Sequence, residues 1–250
     1  METTAQSPEA LDEAARVHLE PGFAWDGQDA YLFDIDGTLL RNRDRVHRES
    51  FAVGVERVTG VDLEPYLYLT PGGTDPVILR EAFVKAGLDE QILEEQWEAI
   101  VEAIHDACQE RRSTMEIRIM PGVEAVLAHL EARGAVLAVA TGNLEAIGWI
   151  KLEETSLRRW FRLGGFSDGF SNRAELVNDA ARRARAIAGM EAQVCVVGDT
   201  PRDIEAAHAN SLPCIAVATG RFSFDELLGL RPEACATTLA ALLEQAQVAP

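Results

Sequence analysis

Tyr31-Leu32-Phe33-Asp34-Ile35-Asp36-Gly37-Thr38-Leu39-Leu40 is the stretch on which the fold turns. Its apolar opening reads as a buried strand, broken at a glycine. Asp34 and Asp36 stand at the carboxyl end of that strand, two residues apart. In an extended chain this spacing puts both on one side, roughly 7 Å apart at Cα. Two ionised carboxylates so close repel each other unless a cation or a proton intervenes. A hard divalent ion with oxygen ligands, such as Mg²⁺, meets that need. Asp and Gly are also ordinary turn residues, so a solvated turn explains this stretch equally well when it is taken alone.

Downstream, the pattern changes twice. From about Arg43 to Glu116 the periodicity is helical, with no convincing strand and with helices expected over 43–59, 75–86 and 89–112. Pro71-Gly72-Gly73-Thr74 reads as a flexible loop inside this block, with Thr74 or Asp75 placed to cap the next helix. Strands and helices then alternate. Strands are expected over 135–140, 163–166, 193–197 and 213–218 and near Ala234. Helices are expected from Pro121 to Arg133, from Asn143 as cap to Glu154, and over 173–188, 201–209, 223–229 and 237–246. This alternation predicts an α/β fold, a doubly wound parallel sheet with helices on both faces. The helical block reads as an inserted all-α cap domain. The expected organisation is an N-terminal extension (1–27), a Rossmann-like core (28–42 and 117–250) and the cap (43–116). The extension reads as loosely attached and helix-capable around Pro8 to Val17, with Phe23 and Trp25 as docking points.

Composition narrows the function. A chain of 250 residues, 47% hydrophobic and 26% charged, has the make-up of a soluble globular protein. No apolar run approaches the roughly 20 residues of a membrane span, and Met1-Glu2-Thr3-Thr4 has no signal-peptide shape. The net charge of −18 repels nucleic acid and anionic membranes, which argues against both as partners. Any phosphate site therefore needs local positive charge. Cys108, Cys195, Cys214 and Cys235 are scattered and read as reduced core cysteines of a cytoplasmic protein. The five histidines show no metal-ligand spacing.

In open α/β sheets, ligands bind beyond the carboxyl ends of the strands. Three expected strand ends carry polar residues: Asp34 with Asp36, Thr141, and Asp199. Thr141-Gly142-Asn143 offers a hydroxyl and backbone amides for phosphate oxygens, although Asn143 as a plain helix cap needs no ligand. Thr200, Pro201 and Asp203 make a good helix start, which leaves Asp199 to be explained as a metal ligand. Asp203 is open among direct ligand, a group behind the ligands, and helix cap. Asn172 followed by Glu175 forms a capping-box pattern that puts Arg173 at the first helical position. A cation there opposes the helix dipole by roughly 0.3–1 kcal/mol, and a bound phosphate would reverse the sign. The plainer alternative is an exposed surface arginine.

Asp34-Ile35-Asp36-Gly37-Thr38-Leu39, Thr141, a basic residue opening a helix, and Gly198-Asp199 with Asp203 occur in the order that marks the haloacid dehalogenase superfamily. Over about residues 28–245 the chain resembles that group, and within it the phosphoglycolate phosphatase-like hydrolases and β-phosphoglucomutases with small helical caps. The resemblance implies Asp34 as nucleophile and Asp36 as general acid/base. It implies Mg²⁺ held by Asp34, the backbone carbonyl of Asp36, and Asp199. Thr141, Gly142 and the basic residue would bind the phosphoryl group of a small phosphorylated substrate. Family members usually carry lysine as that basic residue. Lys85 and Lys151 stand away from the matching helix start, so Arg173 takes the place, with bidentate geometry and a permanent charge.

The expected activity is Mg²⁺-dependent phosphomonoester hydrolysis through an aspartyl-phosphate. A mutase or phosphotransferase of the same fold is the nearest rival. Asp36 argues against a dehalogenase, whose superfamily members lack that second aspartate. A non-enzymatic phospho-acceptor module would be about half this length and lack the cap. Candidates for substrate specificity are Arg41, Arg43, Arg45 and His47 near the hinge, with Gly72, Gly73 and Thr74 in the loop.

Overall fold

A computed structural model describes residues 15–170 and 172–248. The strands are β1 (Val17–Leu19), β2 (Ala30–Phe33), β3 (Leu40–Asn42), β4 (Ile117–Ile119), β5 (Val136–Ala140), β6 (Leu163–Gly165), β7 (Val194–Gly198), β8 (Cys214–Val217) and β9 (Ala234–Ala236). The main sheet runs β1-β9-β8-β7-β2-β5-β6, parallel throughout except for the edge strand β1. β2 lies at its centre, with Phe33 opposite Val139 of β5 and Val197 of β7. That register brings Asp34, Thr141 and Asp199 to one edge of the sheet, each just past its strand.

Helices cover both faces because alternate residues of the buried strands point to opposite sides. Tyr31 and Phe33 pack with Val123, Val126, Leu127 and Leu130 of α5 (Val123–Ala132) and with Leu239 and Leu242 of α10 (Leu239–Val248). Ala30 and Leu32 face the other way, toward α7 (Arg173–Ala188), α8 (Pro201–Ala209) and α9 (Phe224–Leu228). This is the doubly wound α/β fold.

The helical cap has its own core. Phe51 and Val55 of α1 (Val46–Thr59), Leu79 and Phe83 of α2 (Asp75–Lys85), Leu93 of α3 (Glu90–Glu95), and Ile100 and Ile104 of α4 (Trp97–Arg111) are buried together. Leu144, Ile147 and Ile150 complete that cluster, and the latter two lie on α6 (Glu145–Glu154) of the sheet domain. The cap thus shares an apolar seam with α6. The chain leaves for the cap along β3 and returns along β4, paired antiparallel with Leu40 opposite Ile119.

Several expectations need correction. The segment before Ala30 is not loosely attached: Val17 pairs with Ala236 as the sheet's antiparallel edge, and Phe23 packs on the core. Trp25 is buried against His129, with ring centroids 5.5 Å apart, and the Tyr31 hydroxyl donates to its carbonyl. The helix-capable reading from Pro8 falls, through residue 14, outside the described residues. The single helix expected over 89–112 is two, broken at Gln96, whose backbone leaves the helical region at φ −112°. β3 and β4 were too short to show alternation. Asn143 does not cap α6, because its side chain is engaged elsewhere. Leu144 takes the cap position, while the carboxylates of Asp75 and Asp168 accept from the Leu144 and Glu145 amides.

Candidate active site

The shared sheet edge gathers three buried carboxylates. Oxygens of Asp34, Asp199 and Asp203 lie within 4.8 Å of one another. One guanidinium faces them: Arg173 donates to Asp34 Oδ1 at 2.8 Å and to Asp203 Oδ1 at 2.5 Å. It also donates to the Gly72 carbonyl at 3.3 Å. Arg173 is only 8% exposed, which removes the surface-arginine alternative. Its Nε is buried without a partner. Asn172 does cap α7, accepting from the Ala174 amide. Asp203 accepts from both the amide and the hydroxyl of Thr200, so it caps α8 and braces Arg173 at once.

Burial pushes the Asp34 carboxyl up to about 7; Arg173 pulls it back, while Asp203 and Asp36 add to the rise. Burial likewise holds Asp199 well above the usual carboxylate range, with Asp34 and Asp203 adding to it. Three carboxylates against one guanidinium leave an excess of buried negative charge that a divalent cation would neutralise. Thr38 donates to Asp199 Oδ1 at 3.1 Å, which leaves Oδ2 for another ligand. Oxygen donors of this kind suit Mg²⁺, so the residues present fit that ion.

Asp36 stands apart from this cluster. Its Oδ1 accepts from Asn42, and its Oδ2 accepts from Asn143 at 2.8 Å and from the Lys151 ammonium at 2.7 Å. Burial alone would raise its pKa, but the Lys151 ammonium outweighs that, and hydrogen bonds from Lys151 and Asn143 help hold it low. Asn143 also donates to the Thr141 hydroxyl at 2.7 Å. Lys151 lies far from the start of α7, yet it belongs to the same site. Asp36 is 115 residues away in sequence, and no motif announces the pairing. The available signal was its position four residues after Ile147, on the buried face of α6. His47 was expected only as a specificity residue; it also joins this network.

The cap loop closes over these groups. The Gly142 carbonyl accepts from the Asp75 amide at 2.8 Å and from the Ser167 hydroxyl. A Cβ on Gly142 would run into the Gly73 carbonyl. Gly72 has φ +68°, and a Cβ there would meet Thr200 and Arg202 of α8. A cleft of about 640 Å³ lies beneath the loop. Asp34, Asp36, Thr141, Gly142, Arg173 and Asp199 line it, as do Arg41, Arg45, His47, Gly72 and Gly73. Arg43 is exposed and Thr74 is buried at the start of α2; neither is among the lining residues. Arg48, Tyr68 and Arg221, which the sequence did not single out, are.

Residues 28–210 match a family model described as haloacid dehalogenase-like hydrolase. A 5'-nucleotidase of Pseudomonas aeruginosa is 30% identical over 84% of this chain and 92% of its own length. A phosphoglycolate phosphatase of Pseudomonas savastanoi is 29% identical over 76% of this chain and 69% of its own. The crystal structure of a hydrolase from Pseudomonas syringae superimposes with a TM-score of 0.64 at 19% identity, covering 89% of this chain and all of that one.

Proposed function

Because the chain belongs to the haloacid dehalogenase-like hydrolases, we propose that it is a Mg²⁺-dependent phosphomonoester hydrolase working through an aspartyl-phosphate on Asp34. The observation that carries this reading is the meeting of Asp34, Asp199 and Asp203 around one buried guanidinium at the floor of the cleft. Its substrate is a small phosphorylated metabolite. Residues 43–116 act as the cap over a core of 28–42 and 117–250, which the edge strand β1 joins.

Asp34, the backbone carbonyl of Asp36, and Asp199 would hold Mg²⁺, which when bound neutralises charge on the transferring phosphoryl oxygens. Arg173 turns from Asp34 to the phosphoryl group, with Asp203 still accepting from the same terminal nitrogen and the Gly72 carbonyl from the other. Thr141 and the Gly142 backbone bind further phosphoryl oxygens. An Asp34 oxygen forms the new bond to phosphorus as the bond to the leaving oxygen breaks. The negative charge of the bound ester raises the pKa that Lys151 and Asn143 hold low in the free protein, and Asp36, once protonated, delivers that proton to the leaving alcohol. As a carboxylate it then takes a proton from water, which attacks the aspartyl-phosphate, frees inorganic phosphate and restores Asp34.

Arg45 and Arg48 at the cleft are paired with Glu64, while Arg41 and Arg221 bond only neutral oxygens and supply positive charge there, in a chain whose net charge is −18. Local charge of that sign draws in an anionic ester that the rest of the surface repels. A phosphate-release screen across phosphorylated metabolites tests the reading. Phosphoglycolate and nucleoside monophosphates come first in the panel, given the names of the relatives. Release with Mg²⁺ and none after chelation is expected. No release from any ester with Mg²⁺ present would overturn it.

A further inference from the structure

Resting on the phosphohydrolase reading, we infer that Lys151 is a positioning residue that fixes the carboxylate of Asp36 and the amide of Asn143. Its side chain is 1% exposed, and its three ammonium protons meet three acceptors. These are Asp36 Oδ2 at 2.7 Å, Asn143 Oδ1 at 2.7 Å and His47 Nδ1 at 3.1 Å.

Lysine is almost never this buried unless paired, and a buried ion pair is often no more stabilising than apolar packing. Stability therefore does not account for Lys151. Orientation does. An ammonium carries only donors, so the amide oxygen of Asn143 must face it. The amide nitrogen is then left to donate to Asp36 Oδ2 and to the Thr141 hydroxyl. One cation thereby fixes the carboxylate that meets the leaving oxygen, both directly and through Asn143.

The same logic extends to the cap. Because Lys151 can only donate, His47 Nδ1 accepts, and Nε2 carries the proton toward Asp75 Oδ2, 3.0 Å away. That Asp75 oxygen also accepts from the Leu144 amide. Lys151 is thus the point where α6, the hinge-side helix α1 and the cap-loop helix α2 are held in one hydrogen-bonded chain.

The test compares two esters in the full-length protein with Mg²⁺. An alkyl phosphate leaves as an alkoxide that needs a proton, whereas 4-nitrophenyl phosphate leaves as a stable phenolate. In Lys151→Met, kcat/KM for the alkyl ester should fall about 10²-fold or more, and for the aryl ester should stay within about threefold. Equal falls for both, or no fall for the alkyl ester, would overturn the positioning role. If Lys151→Met does not fold, Lys151→Arg is read the same way, since a planar fork cannot occupy a point between these three acceptors. A crystal structure of the folded variant decides the matter without any assay. Asp36 and Asn143 should have parted; both side chains unmoved would overturn the inference. Wild-type protein that releases phosphate from no ester of the metabolite panel would instead sink the phosphohydrolase reading, with the crystallographic comparison still deciding the role of Lys151.

Discussion

Arg173 donates to Asp34 at 2.8 Å, so in the free protein the cation assigned to the phosphoryl group rests on the nucleophile. This resting pair masks the excess negative charge of the site and has to open when an ester binds. Its consequences for stability run against the helix-dipole argument. A cation at the first position of α7 is unfavourable by a few tenths of a kcal/mol, which by itself predicts that Arg173→Ala is neutral or slightly stabilising. Removing one partner of a buried pair outweighs that and costs about 3–5 kcal/mol.

Arg173→Ala is therefore expected to lower stability in denaturant titrations and to lower kcat/KM by about 2–4 kcal/mol. Arg173→Lys should recover part of both, because charge returns without the fork. Normal stability together with normal kcat/KM in Arg173→Ala would contradict a buried guanidinium held between Asp34 and Asp203.

Asp34 should give the free protein a characteristic pH dependence. Its folded pKa is raised from 3.8 to about 7, chiefly by burial. The folded state then holds more protons than the unfolded state across that window, so stability falls as pH rises through it. Asp199 adds in the same direction. Asp36 has the opposite sign, since its lowered pKa favours the folded state at pH above the ordinary carboxylate range. In metal-free protein, denaturation between about pH 4 and 7 should show declining stability in wild type and a shallower decline in Asp34→Asn. The same substitution should abolish turnover, by about 10⁴-fold or more. Activity within tenfold of wild type would remove Asp34 from its assigned role.

The two motif aspartates should separate in a calorimetric Mg²⁺ titration. Asp36 has both carboxylate oxygens occupied by Asn42, Asn143 and Lys151. Asp199 keeps one oxygen free of the Thr38 hydroxyl. Asp199→Asn should weaken Mg²⁺ binding at least about tenfold, since it removes a hard anionic donor. Asp36→Asn should leave binding near wild type while slowing turnover by about 10²–10⁴-fold. Equal losses of affinity in both variants would show that the Asp36 side chain is a ligand after all.

How much of this was legible follows from the range of each interaction. Asp34, Thr141 and Asp199 each end an apolar run, so a strand pattern places them together without knowledge of any contact. Lys151 ends nothing and sits in the interior of a helix; only tertiary packing turns it toward Asp36. Asn143 was ambiguous because the same residue type caps helices and bridges side chains. The capping job went to Asp75 and Asp168, distant in sequence. β1 exists only through its pairing with β9, more than two hundred residues on, which no local pattern encodes.

The seam between cap loop and core gives the last prediction. Gly142 does not adopt a positive φ, so alanine there costs nothing in backbone strain. What alanine does meet is the Gly73 carbonyl of the cap loop, with a terminal nitrogen of Arg173 at 3.2 Å. The β5 backbone is fixed by its ladder to β2, so the loop is the part that yields. Displacing it lengthens the bond from the Asp75 amide to the Gly142 carbonyl and loosens the Gly72 carbonyl from Arg173. Gly142→Ala should raise KM about tenfold, with a smaller effect on kcat, since a misplaced loop weakens binding in ground and transition states alike. Limited proteolysis should cut near residues 70–73 faster than in wild type. Unchanged KM with unchanged proteolysis would mean that the cap loop does not rest against Gly142 in solution.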